Sequence, residues 1–296
     1  MFEFVQSIPK SANLEWVKDP DFLHCFEAER LIAITDAMLA HGLREDSAFE
    51  VLDVGYLHGL ISEFIHRRFP KATFTVIDHP NSPNFNNREY LDVIETRRYM
   101  RLLPCDIMDA GRLNKQFQLI ILGELIEHLN PTVVADALQT MRTLISDNGL
   151  LIITTPNAAG LYNTYMTITD GDCVVLPPIP DSTMGYGHIH LWSAPVLERT
   201  AEWCGFTREK LFFNHGREAE KFVKARREWL SLKSQILIKG IELLGNWKPS
   251  LRGFFVASFA PKSPPNHAMQ LTGSTRHGSC SPQTRRAATA PRSACS

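Results

Sequence analysis

The sequence predicts an α/β fold built on an open, mostly parallel β-sheet with helices on both faces. Three observations lead to this prediction. An apolar run at 49–54 enters a glycine-punctuated turn, further apolar runs alternate with helix-like segments as far as residue 155, and acidic residues stand at the ends of the first four runs. Strands that alternate with helices in this way join into a doubly wound parallel sheet.

The segment 49–59, with the sequence FEVLDVGYLHG, organises the rest of the chain. It predicts a buried strand, a tight turn at Gly55 and the start of a helix near Gly59. Glycines let a backbone approach a ligand closely, and a helix N-terminus presents free N–H groups. This layout predicts a pocket for a nucleotide-like ligand.

A helix is predicted before that strand, over residues 13–42. Its apolar residues recur at steps of three and four, and Gly42 is a suitable end. Two interpretations stay open at this point. The segment 1–44 forms a helical cap over the mouth of the pocket, or the helix packs on the flank of the sheet.

The chain after Gly59 alternates between helices and strands. β-Branched and aliphatic composition separates the strands from the amphipathic helices, while Pro70 ends one helix and Pro131 begins another. Strands are predicted at 73–77, 101–105, 117–122 and 150–155, and helices at 60–69, 87–99 and 131–145.

Acidic residues follow these strands and are expected to meet. In a parallel sheet the ligand crevice lies outside the carboxyl ends of the strands. Each aspartate alone also fits a helix N-cap, which is the alternative interpretation. The residues predicted to line one rim are Asp53, Asp78, Asp106 and Glu124.

The second half of the chain predicts a loop, a helix and two closing strands. Residues 158–192 are long and irregular, which is typical of a lid or a substrate loop, and the segment ends in His188, His190 and Trp192. A helix is expected at 193–204 and strands at 206–213 and 252–260, paired antiparallel.

Two further segments have distinctive composition. Residues 217–248 predict one long helix in which basic residues outnumber acidic ones eight to four. Such a helix suits a membrane surface or a partner, and it equally suits packing with a solvated basic face. Residues 261–296 are rich in Pro, Ser, Thr and Arg and predict a disordered tail.

Bulk composition restricts the classes of partner. The chain has 31 basic and 32 acidic residues and a net charge of −1, so it has no overall attraction for nucleic acid or anionic membranes. Its six cysteines form no C-x-x-C pair, which argues against a zinc cage and a disulfide framework. No leader or spanning segment is evident, and we expect a soluble cytoplasmic protein.

With these segments in order, residues 45–260 resemble the class I S-adenosylmethionine-dependent methyltransferases. The matching pieces are Val51-Leu52-Asp53-Val54-Gly55-x-x-x-Gly59, Asp78, Asp106, Glu124-x-x-Glu127-His128-Leu129, and Asn148-Gly149 before a strand ending at Pro156-Asn157. The resemblance implies a Rossmann-like seven-stranded sheet whose last strand is antiparallel. It also implies an N-terminal helical cap and a helical insertion before the last strand.

The resemblance assigns S-adenosyl-L-methionine as cofactor and gives the rim residues their roles. Asp78 would accept both ribose hydroxyls, and Asp106 would face the adenine amino group with the Ile107 backbone beside it. Asp53 and Gly55 would hold the loop against the methionine part of the cofactor, and Gly59 and Glu124 are also implied to bind the cofactor. The family usually has another glycine where this chain has Leu57, which puts bulk near the cofactor. A nicotinamide dehydrogenase would require G-x-G-x-x-G instead.

A second cluster suggests how the acceptor is activated. Small-RNA 3′-end 2′-O-methyltransferases carry a similar Glu-x-x-Glu-His set and a histidine four residues before a tryptophan, as His188 stands before Trp192 here. The implied ligands of a divalent ion, Mg or Mn, are Glu124, Glu127, His128 and His188. Without a metal, His128 or His188 would act as general base beside Glu127. In other O-methyltransferases the Glu-His pair serves structure only.

The function predicted is O-methylation of a hydroxyl on a small molecule or glycan. A metal-assisted RNA 2′-O-methyltransferase is the alternative, although the near-neutral charge counts against RNA. A scaffold that keeps the fold without catalysis is the non-enzymatic alternative.

Overall fold

A computed structural model of the chain describes residues 28–55, 59–86, 88–170, 187–214 and 232–262, all within the compact unit Met1–Lys262. The strands are β1 Glu50–Val54, β2 Thr73–Asp78, β3 Met100–Pro104, β4 Phe117–Gly123, β5 Ile145–Pro156, β6 Phe206–Asn214 and β7 Phe254–Pro261. The helices are α1 Ala28–His41, α2 Leu60–Arg68, α3 Arg88–Glu95, α4 Pro131–Leu144, α5 Leu161–Asp170, α6 Ala194–Trp203 and α7 Leu232–Trp247. Short 3₁₀ turns include Ile107–Leu113 and Ile126–His128.

The seven strands form one sheet in the order β3-β2-β1-β4-β5-β7-β6. Strands β1 to β5 are parallel, and β7 runs antiparallel to both β5 and β6. This confirms the predicted mostly parallel sheet with an antiparallel last strand. The chain moves outward from β1 to β3 and then restarts at β4 on the other side of β1. Such a reversal predicts a ligand crevice at the carboxyl ends of β1 and β4.

Both faces of the sheet are covered, as the apolar composition of its central strands requires. In β4, Ile120 and Leu122 belong to the core beneath α4 and α6. Leu119 and Ile121 belong to the core beneath α1 and α2. All four side chains are fully buried, so the prediction of a strand buried on both faces is confirmed.

Helix α1 crosses one face of the sheet from its carboxyl edge to its amino edge. Its Ile34 and Met38 are fully buried in the same core as Val51 of β1. Its last residue, His41, contacts Glu209 of β6 at 2.8 Å and the carbonyl of Asn148 at 3.1 Å. The described part of the predicted 13–42 helix therefore packs on the flank of the sheet. Residues 13–27, and with them most of the predicted cap, lie outside the described residues.

The segment 158–192, predicted to be irregular, contains helix α5. That prediction was wrong for residues 161–170, because local polar groups anchor the helix. Asn163 donates to the Asn157 carbonyl at 2.7 Å, and Thr164 donates to the Gly160 carbonyl at 3.0 Å. Residues 171–186 of the predicted loop lie outside the described residues. Strand β5 also begins at Ile145, earlier than predicted, and reaches Leu150 through an irregular register.

Helix α7 is the described part of the helix predicted over 217–248, and residues 217–231 lie outside the description. It packs through Ile241. The opposite face exposes large apolar side chains, with exposed fractions between 63% and 79%, at Leu232, Ile236, Leu243 and Trp247. No helix in the described part of the chain is long and apolar enough to span a membrane. Contact of this helix with a membrane surface stays a prediction, as does the disordered tail, whose residues 263–296 are not described.

Candidate active site

The acidic residues predicted to share a rim all lie near the carboxyl edge of the sheet. Asp78 ends β2 and is in register with Pro104 at the end of β3. Glu124 follows the last residue of β4, and Asp106 follows β3 by two residues. Asp53 is the penultimate residue of β1 and is 4% exposed. The topology thus places the four side chains on one side of the molecule.

The turn after β1 has the backbone conformation that its glycines permit. Gly55 and Gly59 have φ angles of 82° and 64°, in the left-handed region that favours glycine. The Gly55 N–H donates to the Ile77 carbonyl at 3.0 Å, which ties the turn to β2. A Cβ at Gly55 would stand 3.0 Å from the Leu125 side chain. Residues 56–58 lie outside the described residues, so the effect of Leu57 on cofactor binding stays a prediction.

Asp53 stabilises this turn through a hydrogen bond to the helix that follows it. Its carboxylate accepts a hydrogen bond from the hydroxyl of Ser62, in the first turn of α2, at 2.5 Å. The bond joins the strand before the turn to the helix after it. Burial, with a smaller contribution from nearby Asp78, raises the pKa of Asp53 from 3.8 to about 6, although Ser62 and the Arg30 guanidinium oppose the shift.

Asp53→Asn is expected to stabilise the free protein at pH 7.5 and to change its stability little at pH 4. The folded-state pKa of Asp53 lies above its unfolded value, so ionisation penalises the folded state progressively as the pH rises from about 4 through about 6. At pH 7.5 the full penalty is on the order of 3 kcal/mol. Asparagine keeps an oxygen for Ser62. Chemical denaturation at both pH values measures the change in the free energy of unfolding. An equal change at pH 4 and pH 7.5 would contradict a raised pKa for Asp53.

Asp78 and Asp106 are held in position by their own loops. The two Asp78 oxygens accept hydrogen bonds from the His79 N–H and the Ser82 hydroxyl, both at 2.8 Å. One Asp106 oxygen accepts from the Met108 N–H at 2.8 Å and caps the following 3₁₀ turn. The other lies 3.5 Å from His79 Nε2. The N-cap interpretation therefore applies to Asp106. His79 contacts both acids, a link that the sequence analysis did not predict.

Glu124 adopts a backbone conformation that is uncommon for a residue with a side chain. Its φ is 50°, in the left-handed region, which costs about 1–2 kcal/mol. Thr154 of β5 holds the residue there: its carbonyl accepts the Glu124 N–H at 3.0 Å, and its hydroxyl donates to Glu124 Oε1 at 2.7 Å. Strained residues at strand ends concentrate at functional sites. Burial raises the pKa of Glu124, which Arg30 and Thr154 partly counter.

Arg30 was missed by sequence reasoning. It lies near the start of α1, is 7% exposed, and places Nη1 3.5 Å from Glu124 Oε1. Its charge also lowers the pKa of Asp53 and of Glu127. No spacing or motif marks an arginine inside an amphipathic helix. Only the packing of α1 on the sheet brings its guanidinium to the carboxyl edge.

A second group consists of Glu127, His128 and His188. Glu127 is fully buried, and Thr155 donates to its Oε2 at 3.0 Å. Its Oε1 has no hydrogen-bond partner among the described residues. The rings of His128 and His188 meet edge to face at 4.9 Å. Potential ligand atoms of Glu127, His128 and His188 all lie within 4.8 Å of one another.

Glu124, the remaining residue of the predicted metal set, is not a member of that group. Its carboxylate is engaged by Arg30 and by Thr154. Adjacent β5 residues thus hold the two glutamates separately, Thr154 binding Glu124 and Thr155 binding Glu127. Successive residues of a strand point to opposite faces of a sheet, so the two hydroxyls reach the glutamates from different faces. The glutamates still interact, because contact with Glu127 lowers the pKa of Glu124.

Trp192 fixes the segment that carries the two histidines. Its indole N–H donates to the Ile126 carbonyl at 3.2 Å, and the Glu127 carbonyl accepts the N–H groups of Ile189 and His190. The His190 ring packs on the Trp192 ring at 4.9 Å. His188 therefore reaches Glu127 and His128, whereas His190 serves packing.

The charge states of this group follow from its burial. Burial raises the pKa of Glu127 well above its ordinary value, and the neighbouring Glu124 raises it further. Burial lowers the pKa of His128. His128 Nδ1 lies 3.1 Å from the Gly187 carbonyl, which only accepts, so Nδ1 carries the hydrogen and Nε2 the lone pair. A neutral imidazole with one lone pair is suited to accept a proton.

Comparisons with known proteins agree with this architecture. A family model described as a methyltransferase domain matches residues 22–211, more than half of the chain. No curated protein matches the chain. Solved structures that are similar to it in fold include three methyltransferases.

Coclaurine N-methyltransferase, bound to N-methylheliamine and S-adenosylhomocysteine, shares 16% identity over 88% of this chain and 81% of its own, with a TM-score of 0.51. The 1,6-didemethyltoxoflavin-N1-methyltransferase of Burkholderia thailandensis shares 12% identity over 88% of this chain and 87% of its own, with a TM-score of 0.50. A protein assigned as a sarcosine dimethylglycine methyltransferase from Galdieria sulphuraria shares 12% identity over 86% of this chain and 91% of its own, with a TM-score of 0.52. The sheet, its strand-end acids and the matched family model lead to one conclusion: this chain belongs to the methyltransferase-domain family and is a class I S-adenosylmethionine-dependent methyltransferase.

Proposed function

We propose that this methyltransferase transfers the methyl group to a hydroxyl oxygen of a small molecule or glycan. The observation that supports the proposal is the neutral imidazole of His128, held by the Gly187 carbonyl with its hydrogen on Nδ1, beside His188. A hydroxyl oxygen becomes a good nucleophile only when its proton is removed. A neutral amine already offers a lone pair, so a held base favours oxygen as the acceptor.

The chemistry requires alignment and one proton transfer. S-adenosylmethionine, when bound, would supply an electrophilic methyl group and leave as S-adenosylhomocysteine, whose thioether sulfur keeps the electron pair of the broken carbon–sulfur bond. His128 Nε2 would accept the proton of the acceptor hydroxyl as its oxygen bonds the methyl carbon. No covalent enzyme intermediate is needed, so positioning of the two reactants supplies most of the rate enhancement.

The cofactor is proposed to lie across the carboxyl ends of β1 to β4. Asp78 would bind the ribose hydroxyls, since its two oxygens are already oriented by His79 and Ser82. Asp106 and the Ile107 backbone would border the adenine, and the glycine turn at 55–59 would border the methionine part. Glu127, His128 and His188 would then face the acceptor.

A metal-assisted variant is the second candidate, favoured by the unpartnered Oε1 of Glu127. With His128 and His188 it makes a set of one carboxylate and two imidazoles. Such a set suits Mn²⁺ better than Mg²⁺, which prefers oxygen ligands. A bound divalent ion would supply a lowered pKa for the acceptor hydroxyl. The RNA 2′-O-methyltransferase alternative uses the same chemistry, but the net charge of −1 does not favour it.

Transfer of a tritium-labelled methyl group tests the proposal. The protein is incubated with labelled cofactor and separate pools of phenols and sugars, amines, and short RNAs, with and without Mn²⁺. We expect label in the hydroxyl pool and alkali-stable ether products. Label confined to amines would contradict O-methylation, and label in RNA 2′-hydroxyls would support the second candidate. The Asp78→Ala variant is the control for cofactor-dependent transfer.

A further inference from the structure

Helix α7 carries an exposed apolar stripe that the proposed chemistry does not use. Its four large side chains, 63% to 79% exposed, are Leu232, Ile236, Leu243 and Trp247. Their spacing places them within about 60° of one another around the helix axis. Ile241 lies on the opposite side of the helix and is buried against the protein. The stripe therefore faces away from the protein.

Hydrogen bonds fix the C-terminal end of α7 to the sheet. The Arg252 guanidinium donates to the carbonyl of Gly245 in α7 at 3.1 Å and to the carbonyl of Phe213 in β6 at 2.9 Å. Asn157, which follows β5, donates to the Ser250 and Arg252 carbonyls at 3.0 and 2.8 Å. These bonds orient the helix, so the fold itself determines which side of α7 is exposed.

Lysines accompany the apolar stripe. Lys239 lies three residues after Ile236 and four residues before Leu243, so it borders the stripe within one helical turn. The exposed lysines over residues 232–248 are Lys233, Lys239 and Lys248. Glu242 is the one acidic residue in the same range, and it is half-buried. The exposed side of the helix thus combines apolar side chains with positive charge.

This combination matches the surface of an anionic lipid bilayer. Large apolar side chains enter the boundary between head groups and acyl chains, tryptophan favours that same boundary, and anionic head groups attract lysines. A second copy of the chain fits less well, because a symmetric contact between two stripes would bring lysines against lysines. RNA would attract the lysines but would leave the apolar side chains without a partner.

We propose that the apolar stripe of α7 binds the surface of an anionic bilayer. The helix lies along the bilayer plane, with its apolar side chains in the head-group boundary and its lysines beside the anionic head groups. This surface is separate from the candidate active site. The proposal therefore depends neither on the cofactor nor on the acceptor.

Cosedimentation with lipid vesicles tests the proposal. The vesicles contain phosphatidylcholine alone or equal parts of phosphatidylcholine and phosphatidylglycerol. The unmodified protein is expected to sediment with the mixed vesicles far more than with phosphatidylcholine, and added salt is expected to release it. Trp247→Ser is expected to weaken binding to the mixed vesicles at least about tenfold, because apolar burial is lost. Lys239→Gln is expected to weaken it about fivefold, because one head-group attraction is lost.

Trp203→Ser and Lys71→Gln are the matched controls. Trp203 in α6 is 72% exposed, and Lys71 is exposed in the turn before β2. Each control removes the same kind of side chain from outside α7, so both should bind the vesicles as the unmodified protein does. All four replaced side chains are exposed, and thermal unfolding is expected to be nearly the same in every variant.

Three results would overturn the proposal. The first is failure of the unmodified protein to sediment with the mixed vesicles, which requires no variant to fold. The second is undiminished binding by both Trp247→Ser and Lys239→Gln, which would place the vesicle contact elsewhere. The third is a dimer in sedimentation velocity that Trp247→Ser dissociates, which would assign the stripe to a second copy of the chain.

Discussion

Replacing His128 with alanine is expected to slow methyl transfer by about 10²- to 10⁴-fold, the usual contribution of a general base. His128 is oriented by the Gly187 carbonyl and kept neutral by burial, which lowers its pKa. His188→Ala removes the ring that packs against it and is expected to reduce the rate as well. Once an acceptor is identified, single-turnover rates measure both effects.

His190→Ala is the matched control for these variants. His190 lies two residues from His188 on the same segment, but its ring packs on Trp192. Its removal should therefore leave the transfer rate nearly unchanged. Full transfer rates in both His128→Ala and His188→Ala would contradict the proposed general base. The segment 187–192 would then have no part in the chemistry.

A chelator separates the two forms of the mechanism. If Glu127, His128 and His188 bind a divalent ion, chelation abolishes transfer and added Mn²⁺ restores it. If His128 acts directly as the base, chelation leaves the rate unchanged. Binding of Mn²⁺ itself, followed by its electron paramagnetic resonance signal, gives a readout independent of turnover, and His188→Ala should weaken it.

Asp78→Ala is expected to weaken binding of S-adenosylhomocysteine at least about tenfold, because the variant loses the acceptor for two ribose hydroxyls. The carboxylate pays little ordering entropy on binding, since Ser82 and His79 already hold it. Calorimetric titration measures the change. Unchanged affinity would contradict the assignment of Asp78 to the ribose.

An exposed acid provides the control for Asp78. Asp92 in α3 pairs with Arg88 at 2.7 Å, and its side chain is 55% exposed. Asp92→Ala removes the same negative charge away from the strand ends and should leave the affinity unchanged. Thermal unfolding of both variants without ligand shows whether a loss of affinity reflects loss of structure.

The sheet and the positions of its acids were predictable because they depend on local patterns and on topology. Apolar runs such as 117–122 fit only strands buried on both faces, and parallel connection places their carboxyl ends together. Asp78 and Glu124 follow from that rule alone. Helix α5 was not predicted, although Asn163 and Thr164 donate hydrogen bonds to the neighbouring carbonyls of Asn157 and Gly160 there.

The finer arrangement of the site depends on tertiary contacts that no spacing encodes. Glu124 and Glu127 stand three residues apart, which predicts one cluster for both. Glu124 takes a left-handed conformation, and the two threonines of β5 bind the glutamates from different faces, so only Glu127 joins the two histidines. Arg30 contacts Glu124 only because α1 packs across the sheet, so its position in the site could not be predicted from the sequence.

Calorimetric titration of the unmodified protein with S-adenosylhomocysteine, and separately with NAD, shows which cofactor the strand ends bind. One molecule of S-adenosylhomocysteine is expected to bind per chain, and NAD is expected to produce no binding heat. Absence of S-adenosylhomocysteine binding, or binding of NAD in its place, would contradict the cofactor site at the carboxyl ends of β1 to β4.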